Sequence, residues 1–181
     1  KKKNIDEDAF EDVDEDQEIG VYIQGLTKRF RNKTEDIDIV AVDDMNLELY
    51  KGQIFALLGH NGAGKSTTIS MLTGLLAPSS GDAEIEGYSI LSQMDYIKDV
   101  IGYCPQHDIL MSQLTAKEHL ILFGTLKGVP SDKLSSTIDK ALAEVGLQAK
   151  KNKTVHGFSG GMKRRLSLSI AMIADRSVLF L

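Results

Sequence analysis

An α/β fold is the class this sequence predicts, and three neighbouring stretches predict it. Gly59-His60-Asn61-Gly62-Ala63-Gly64-Lys65-Ser66-Thr67 fits the phosphate-binding loop pattern G-x-x-x-x-G-K-[ST]. Just before it, Ile54-Phe55-Ala56-Leu57-Leu58 is an uninterrupted apolar run, the pattern of a buried parallel strand. After it, Lys65 to Leu76 contains good helix formers and no proline, with Ile69, Leu72 and Leu76 at helical spacing. Strand, glycine loop and helix in that order form the context the motif needs.

The chemistry of a polyphosphate accounts for the spelling. Backbone N–H groups aimed inward are neutral donors for its charge. Glycines at 59, 62 and 64 allow positive φ and leave no Cβ in the way. The loop opens a helix, whose free N-terminal amides and dipole favour an anion. Lys65 would add a full charge at the β/γ phosphates, and the Ser66 hydroxyl is the expected Mg²⁺ ligand.

The other elements follow along the chain. Ile19 to Phe30 alternates as a half-buried strand, Arg31 to Asp38 reads as a hairpin loop, and Met45 to Tyr50 alternates with one face buried. Lys51-Gly52 turns the chain into the apolar run. Pro78 to Gly81 is a turn, and Ala83 and Ile85 mark an exposed-edge strand. Ser92-x-x-Asp95 is placed to cap a short helix, and Val100 to Tyr103 is a strand ending at Pro105. Thr115-x-x-Glu118 is a capping box, opening a helix that Gly128 and Pro130 stop. Leu134, Ile138, Leu142 and Val145 stripe the next helix. Ser159-Gly160-Gly161 opens a third, with Met162, Leu166, Ile170 and Ile173 on one side and a solvated basic cluster, Lys163 to Arg165. Val178 to Leu181 begins a second apolar strand. The sum is an α/β P-loop domain with a β extension and a helical insert.

Composition narrows the classes. At 42% hydrophobic over 181 residues the chain can form one core, and its mean hydropathy of −0.13 and short apolar runs do not suggest a membrane span. A lone Cys104 excludes an internal disulfide framework, and dispersed histidines argue against a structural zinc site. Residues 1–18 carry three lysines against nine acids and read as an acidic disordered linker. The remainder is close to neutral, which argues against nucleic acid as a partner.

Two more stretches carry a family resemblance. Phe158-Ser159-Gly160-Gly161-Met162 resembles the signature of ABC ATPases, usually spelled LSGGQ, and Cys104-Pro105-Gln106 resembles their Q-loop. The wording of the phosphate loop, with Cys-Pro-Gln-His-Asp and Ser-Gly-Gly-Met, is similar to subfamily A of ABC transporters, which mostly move lipids. This resemblance implies a P-loop NTPase (RecA-like) sheet core, incomplete at the C-terminus, with an antiparallel β subdomain and an inserted helical subdomain. It divides 19–181 into a β extension with the P-loop core (19–105), a helical subdomain with the signature helix (106–174) and the start of the Walker B strand (175–181).

The resemblance also implies roles. ATP with Mg²⁺ would lie on Gly59, His60, Asn61, Gly62, Ala63, Gly64, Lys65, Ser66 and Thr67, with adenine stacked on Phe30, where the family usually has tyrosine. Lys65 and Gln106 would serve the chemistry, and Ser66 and Gln106 the metal. Ser159, Gly160, Gly161 and Met162, the last in place of the usual glutamine, would reach across to an ATP held by a second, head-to-tail nucleotide-binding domain. The acidic residues that complete Mg²⁺ binding and supply the general base are expected just past Leu181, so the chain is expected to bind nucleotide without hydrolysing it. Its other expected partners are the transmembrane domains of one multi-pass transporter, at the cytoplasmic face of a membrane. A soluble ABC ATPase acting in translation or DNA maintenance is the alternative.

Overall fold

The computed structural model describes residues 17–32 and 37–181. Most of the acidic stretch and the middle of the expected hairpin loop lie outside the described residues.

Strands β1 (Ile19–Asn32) and β2 (Ile37–Tyr50) form a long antiparallel ribbon. It continues two pairs beyond the expected strand ends, through Arg31 opposite Asp38 and Asn32 opposite Ile37. Arg31 and Asp38 are exposed there, as the end of a ribbon allows. β3 (Ser80–Ile85) and β4 (Tyr88–Ser89) complete a sheet of order β2-β1-β3-β4. β3 is therefore internal, not the exposed edge expected from its acidic alternation. Ala83 and Ile85 are buried, and Glu84 between them is exposed on the opposite face. A second, parallel pair joins β5 (Ile101–Tyr103) to β6 (Val178–Phe180).

Helix α1 (Lys65–Leu72) is shorter than its apolar pattern. It stops at Thr73 and Gly74, where φ is +73°. α2 (Met94–Val100) begins after Gln93, and no side chain caps it. Ser92 is thus not the cap. Gln93 turns its Oε1 back to accept from the Ser89 amide at 3.1 Å. α3 (Ala116–Leu126) has the full capping box, with the Thr115 amide donating to Glu118 at 2.7 Å. α4 (Ser131–Glu144) buries Ile138 and Leu142 as its stripe predicts, and α5 (Gly160–Met172) is capped by Ser159.

One expected element is missing. Residues 54–58 form no strand, and Ile54 and Leu58 are 102% and 86% exposed. An apolar run becomes a strand only where a neighbouring edge takes its backbone hydrogen bonds. The only parallel ladder among the described residues is β5–β6. Phe55 to Leu57 instead line one wall of a cavity of about 580 Å³, with Val178 to Leu181 on another. The half-buried state of Met45, Leu47 and Leu49 has the same cause, since they face that cavity.

Two apolar clusters hold the chain together. One packs Val21, Ile23, Leu26 and Ile85 of the antiparallel sheet on Met71 and Ile97 of α1 and α2. The other joins the three later helices through Leu120, Ile138, Leu142, Leu166 and Ile170. Gly102 brings α5 onto β5: a Cβ there would stand 2.6 Å from the Ala171 carbonyl oxygen.

The joint between the two clusters is polar. Lys127, which caps α3, donates from Nζ to the carbonyls of Ile170 and Ala171 at 2.9 and 3.0 Å, at the C-terminal end of α5. The Arg176 guanidinium donates to the carbonyls of Lys127 and of Asp99 in α2. Burial and the nearby Arg176 charge lower the Lys127 pKa from 10.5 to about 8. Between those values the unfolded chain holds a proton that the folded chain has released. Stability therefore gains from this group as pH rises from about 8 towards 10.5, and nothing from it below. Urea unfolding at about pH 7 and about pH 10, compared between the native chain and Lys127→Met, checks this. The substitution should remove part of the rise with pH; an identical pH dependence in both chains would contradict it.

Candidate functional site

The glycine loop folds into an open cup of about 400 Å³, lined by Ala41, Asn61 to Thr67 and Gln106. Gly62 and Gly64 hold φ at +84° and +88°, the left-handed backbone that lets a turn of this kind present amides to an anion. Gly59 differs from the expectation, for its φ is ordinary. Its use is room: a Cβ would meet the Ala63 Cβ at 3.1 Å. α1 starts at the cup with no side-chain cap and no acidic residue in its first turn. Its N-terminal amides are left for an anion, which the helix dipole also favours.

The Lys65 ammonium bends back over the loop, donating to the carbonyls of Gly59 at 2.6 Å and His60 at 2.9 Å. Both carbonyls belong to the loop itself, so the lysine ties the start of α1 to the first residues of the motif. The Nδ1 of His60 lies 2.8 Å from the Asn61 carbonyl oxygen, so this histidine braces the loop with its ring as well as its backbone. Ser66 and Thr67 complete the lining on α1, and Gln106, exposed after β5, closes the far side. Ala41 of β2 also lines the cup; nothing in its local sequence signals this, because the approach is made by the fold.

Phe30 does not line the cup. It sits 41% exposed on the ribbon whose β2 strand reaches the cup through Ala41, paired in register with Ile39. The Lys28 ammonium lies 5.3 Å from its ring centroid. Ser159, Gly160, Gly161 and Met162 are also outside the cup; they form the start of α5, where Ser159 Oγ accepts from the Met162 amide at 3.3 Å. The basic residues after them are not simply solvated. Arg164 donates to the Pro105 carbonyl and Arg165 to the Val145 carbonyl at 3.0 Å.

The larger cavity, beside residues 55–57, is lined by none of the glycine-loop residues 59–67, so it is a separate volume from the cup. Among the described residues no group of three or more His, Cys, Asp or Glu could hold a metal. Asn61, Ser66, Thr67 and Gln106 are the oxygen-bearing side chains in the lining of the cup.

A left-handed glycine turn feeding an uncapped helix with a lysine over the turn defines a P-loop nucleotide-binding domain. Comparison with known proteins agrees: the ABC transporter family profile matches residues 42–181, and the chain belongs to that family. It is similar to subfamily A members. It is 47% identical over 180 residues to the human "Phospholipid-transporting ATPase ABCA3", covering 99% of this chain and 10% of that protein. It is 48% identical over 161 residues to "ABC transporter A family member 6" of Dictyostelium discoideum, covering 89% of this chain and 10% of the relative. The chain thus spans about a tenth of the length of these relatives. A solved "ATP binding subunit of ABC transporter" superposes with a TM-score of 0.75 at 26% identity, over 88% of this chain and 64% of that one.

Proposed function

We propose that this chain is the ATP-binding part of a transport ATPase that couples ATP binding and hydrolysis to the movement of lipids across a membrane. The observation that carries the reading is the cup itself, with amides, lysine and helix N-terminus converging on one open volume. Magnesium would reach it with the nucleotide, supplying charge neutralisation at the phosphates, while Ser66 and Gln106 hold it in place. Phe30, exposed on the ribbon beside the cup, supplies a face for adenine. The cup's lining contains no carboxylate, which supports nucleotide binding without hydrolysis by this chain alone. Residues 19–105, 106–174 and 175–181 would act as P-loop core, signature-bearing helical block and Walker B strand, behind the acidic linker 1–18.

The trans role of Ser159, Gly160, Gly161 and Met162 rests on two glycines that the fold does not require. A Cβ at Gly160 or Gly161 would meet nothing within 4 Å, and neither has a positive φ. As the first two residues of α5, these glycines leave the start of the helix bare where a side chain would fit. A site that keeps two of them serves something that approaches from outside, here the phosphates on a second, head-to-tail nucleotide-binding domain. Replacing Gly161 with valine should leave the chain folded and ATP affinity unchanged while stopping turnover of the full transporter. Titration of this chain and phosphate release by the transporter check it; parallel loss of both would argue against the trans role.

The transmembrane domains would be other parts of the same multi-pass protein, with this domain at the cytoplasmic face. No helix among the described residues is long and apolar enough to cross a membrane. The relatives bear transporter names, so a role in translation or DNA maintenance is not favoured.

A further inference from the structure

We propose that Lys28 is a positioning residue for the nucleotide: its ammonium holds the Phe30 ring from one face and so presents the other face to adenine. The inference rests on the adenine reading of Phe30 above and names what orients that ring. The Lys28 Nζ lies 5.3 Å from the Phe30 ring centroid. The two residues are two apart in β1, so both side chains stand on the same face of the strand. Nor is the ammonium loose, because it donates to the Ala77 carbonyl at 2.6 Å. The backbone around it is tied to the same turn. The Ser79 amide donates to the Thr27 carbonyl at 2.8 Å, and the Arg29 amide to Ser79 Oγ at 3.0 Å.

The ribbon also brings the ring towards the cup. Phe30 pairs with Ile39, two residues before Ala41, a separation of about 7 Å along β2. At that point β2 carries one extra residue: Lys28 faces Val42 and Arg29 faces Val40, which leaves Ala41 as a bulge. The bulged residue lines the cup, and its carbonyl oxygen would stand 2.3 Å from a Cβ at Gly64. One strand thus joins the ring's partner to the phosphate loop. A cation is drawn to the electron-rich face of a benzene ring, and a flat base can stack only on the face left over. A tyrosine can also be fixed through its hydroxyl; phenylalanine has no such handle. Phe30 is 41% exposed, so without the ammonium its ring would have to be ordered by the base itself.

The test measures, by calorimetry on the chain and its variants, binding of Mg-ATP and of Mg-tripolyphosphate, which shares the phosphates but has no base. In Lys28→Met, ATP should bind about two- to fivefold more weakly, while tripolyphosphate binds as it does to the native chain. Lys28→Arg keeps a cation over the ring and should restore ATP affinity. With Phe30→Ala already in place, Lys28→Met should cost ATP nothing more. Unchanged ATP affinity in Lys28→Met, an equal loss of tripolyphosphate, or the same loss without the ring would each overturn the role of Lys28 alone. If Lys28→Met does not fold, Lys28→Gln decides, since it keeps a donor but no charge; native ATP affinity there also overturns the role. ATP affinity untouched by Phe30→Ala would overturn the adenine reading, and Lys28 with it, while leaving the cup. A native chain that binds neither ligand would overturn the nucleotide reading as a whole.

Discussion

Gly64→Ala should destabilise the chain by about 2–4 kcal/mol and abolish the cup as a ligand site. Two separate causes act at this position. Its φ of +88° lies where an L side chain is strained, and a Cβ would stand 2.3 Å from the Ala41 carbonyl oxygen and 3.1 Å from Val42 Cγ2. The first obstacle is backbone of β2, so no rotamer change relieves it. Either the loop lifts off β2 and its amides diverge, or β2 shifts against the core. Gly62 separates the causes, because it has a similar φ of +84° with nothing within 4 Å of a Cβ. Gly62→Ala should cost only the conformational strain, about 1–2 kcal/mol. Chemical denaturation of both variants checks the ranking, and equal losses would mean that Gly64 does not touch β2 as described.

Lys65→Ala should weaken ATP binding roughly ten- to hundredfold, the equivalent of a charged hydrogen bond of ~1.5–3 kcal/mol. The ammonium already has two carbonyl partners, Gly59 and His60, so a phosphate gains its charge while competing with those bonds. That competition keeps the effect below the full Coulomb energy of a lysine on a polyphosphate. The fold should be nearly untouched, because the bonds are exposed and local. An unchanged affinity in a calorimetric titration of the variant would remove Lys65 from the site.

The two predictions also mark what could be read in the sequence. The loop was legible because its spelling is dictated locally: glycines for the turn, lysine and serine for the anion. The Thr115–Glu118 box and the stripe through Ile138 and Leu142 were legible for the same reason, being set within one helix. What failed depended on neighbours. Ile54 to Leu58 say "buried" without saying beside which strand, and no strand takes their backbone. Arg164 and Arg165 look like any solvated basic pair until the fold brings the carbonyls of Pro105 and Val145 within reach. Ser92 has the chemistry of a cap, yet the chain enters α2 one residue later. Ala41 reaches the cup only because the β1–β2 ribbon lies against the loop, a contact that leaves no mark in its own sequence.

The same fold offers two volumes to a ligand, and their contest gives the most direct test of the central claim. Mg-ATP titrated into the chain should move the amide signals of Gly62 to Thr67 saturably, and Lys65→Ala should shift that saturation to higher concentration. Signals from Leu47, Leu57 and Leu179, around the larger apolar cavity, should stay where they are. The reverse pattern, with the cavity responding and the cup silent, would contradict the account.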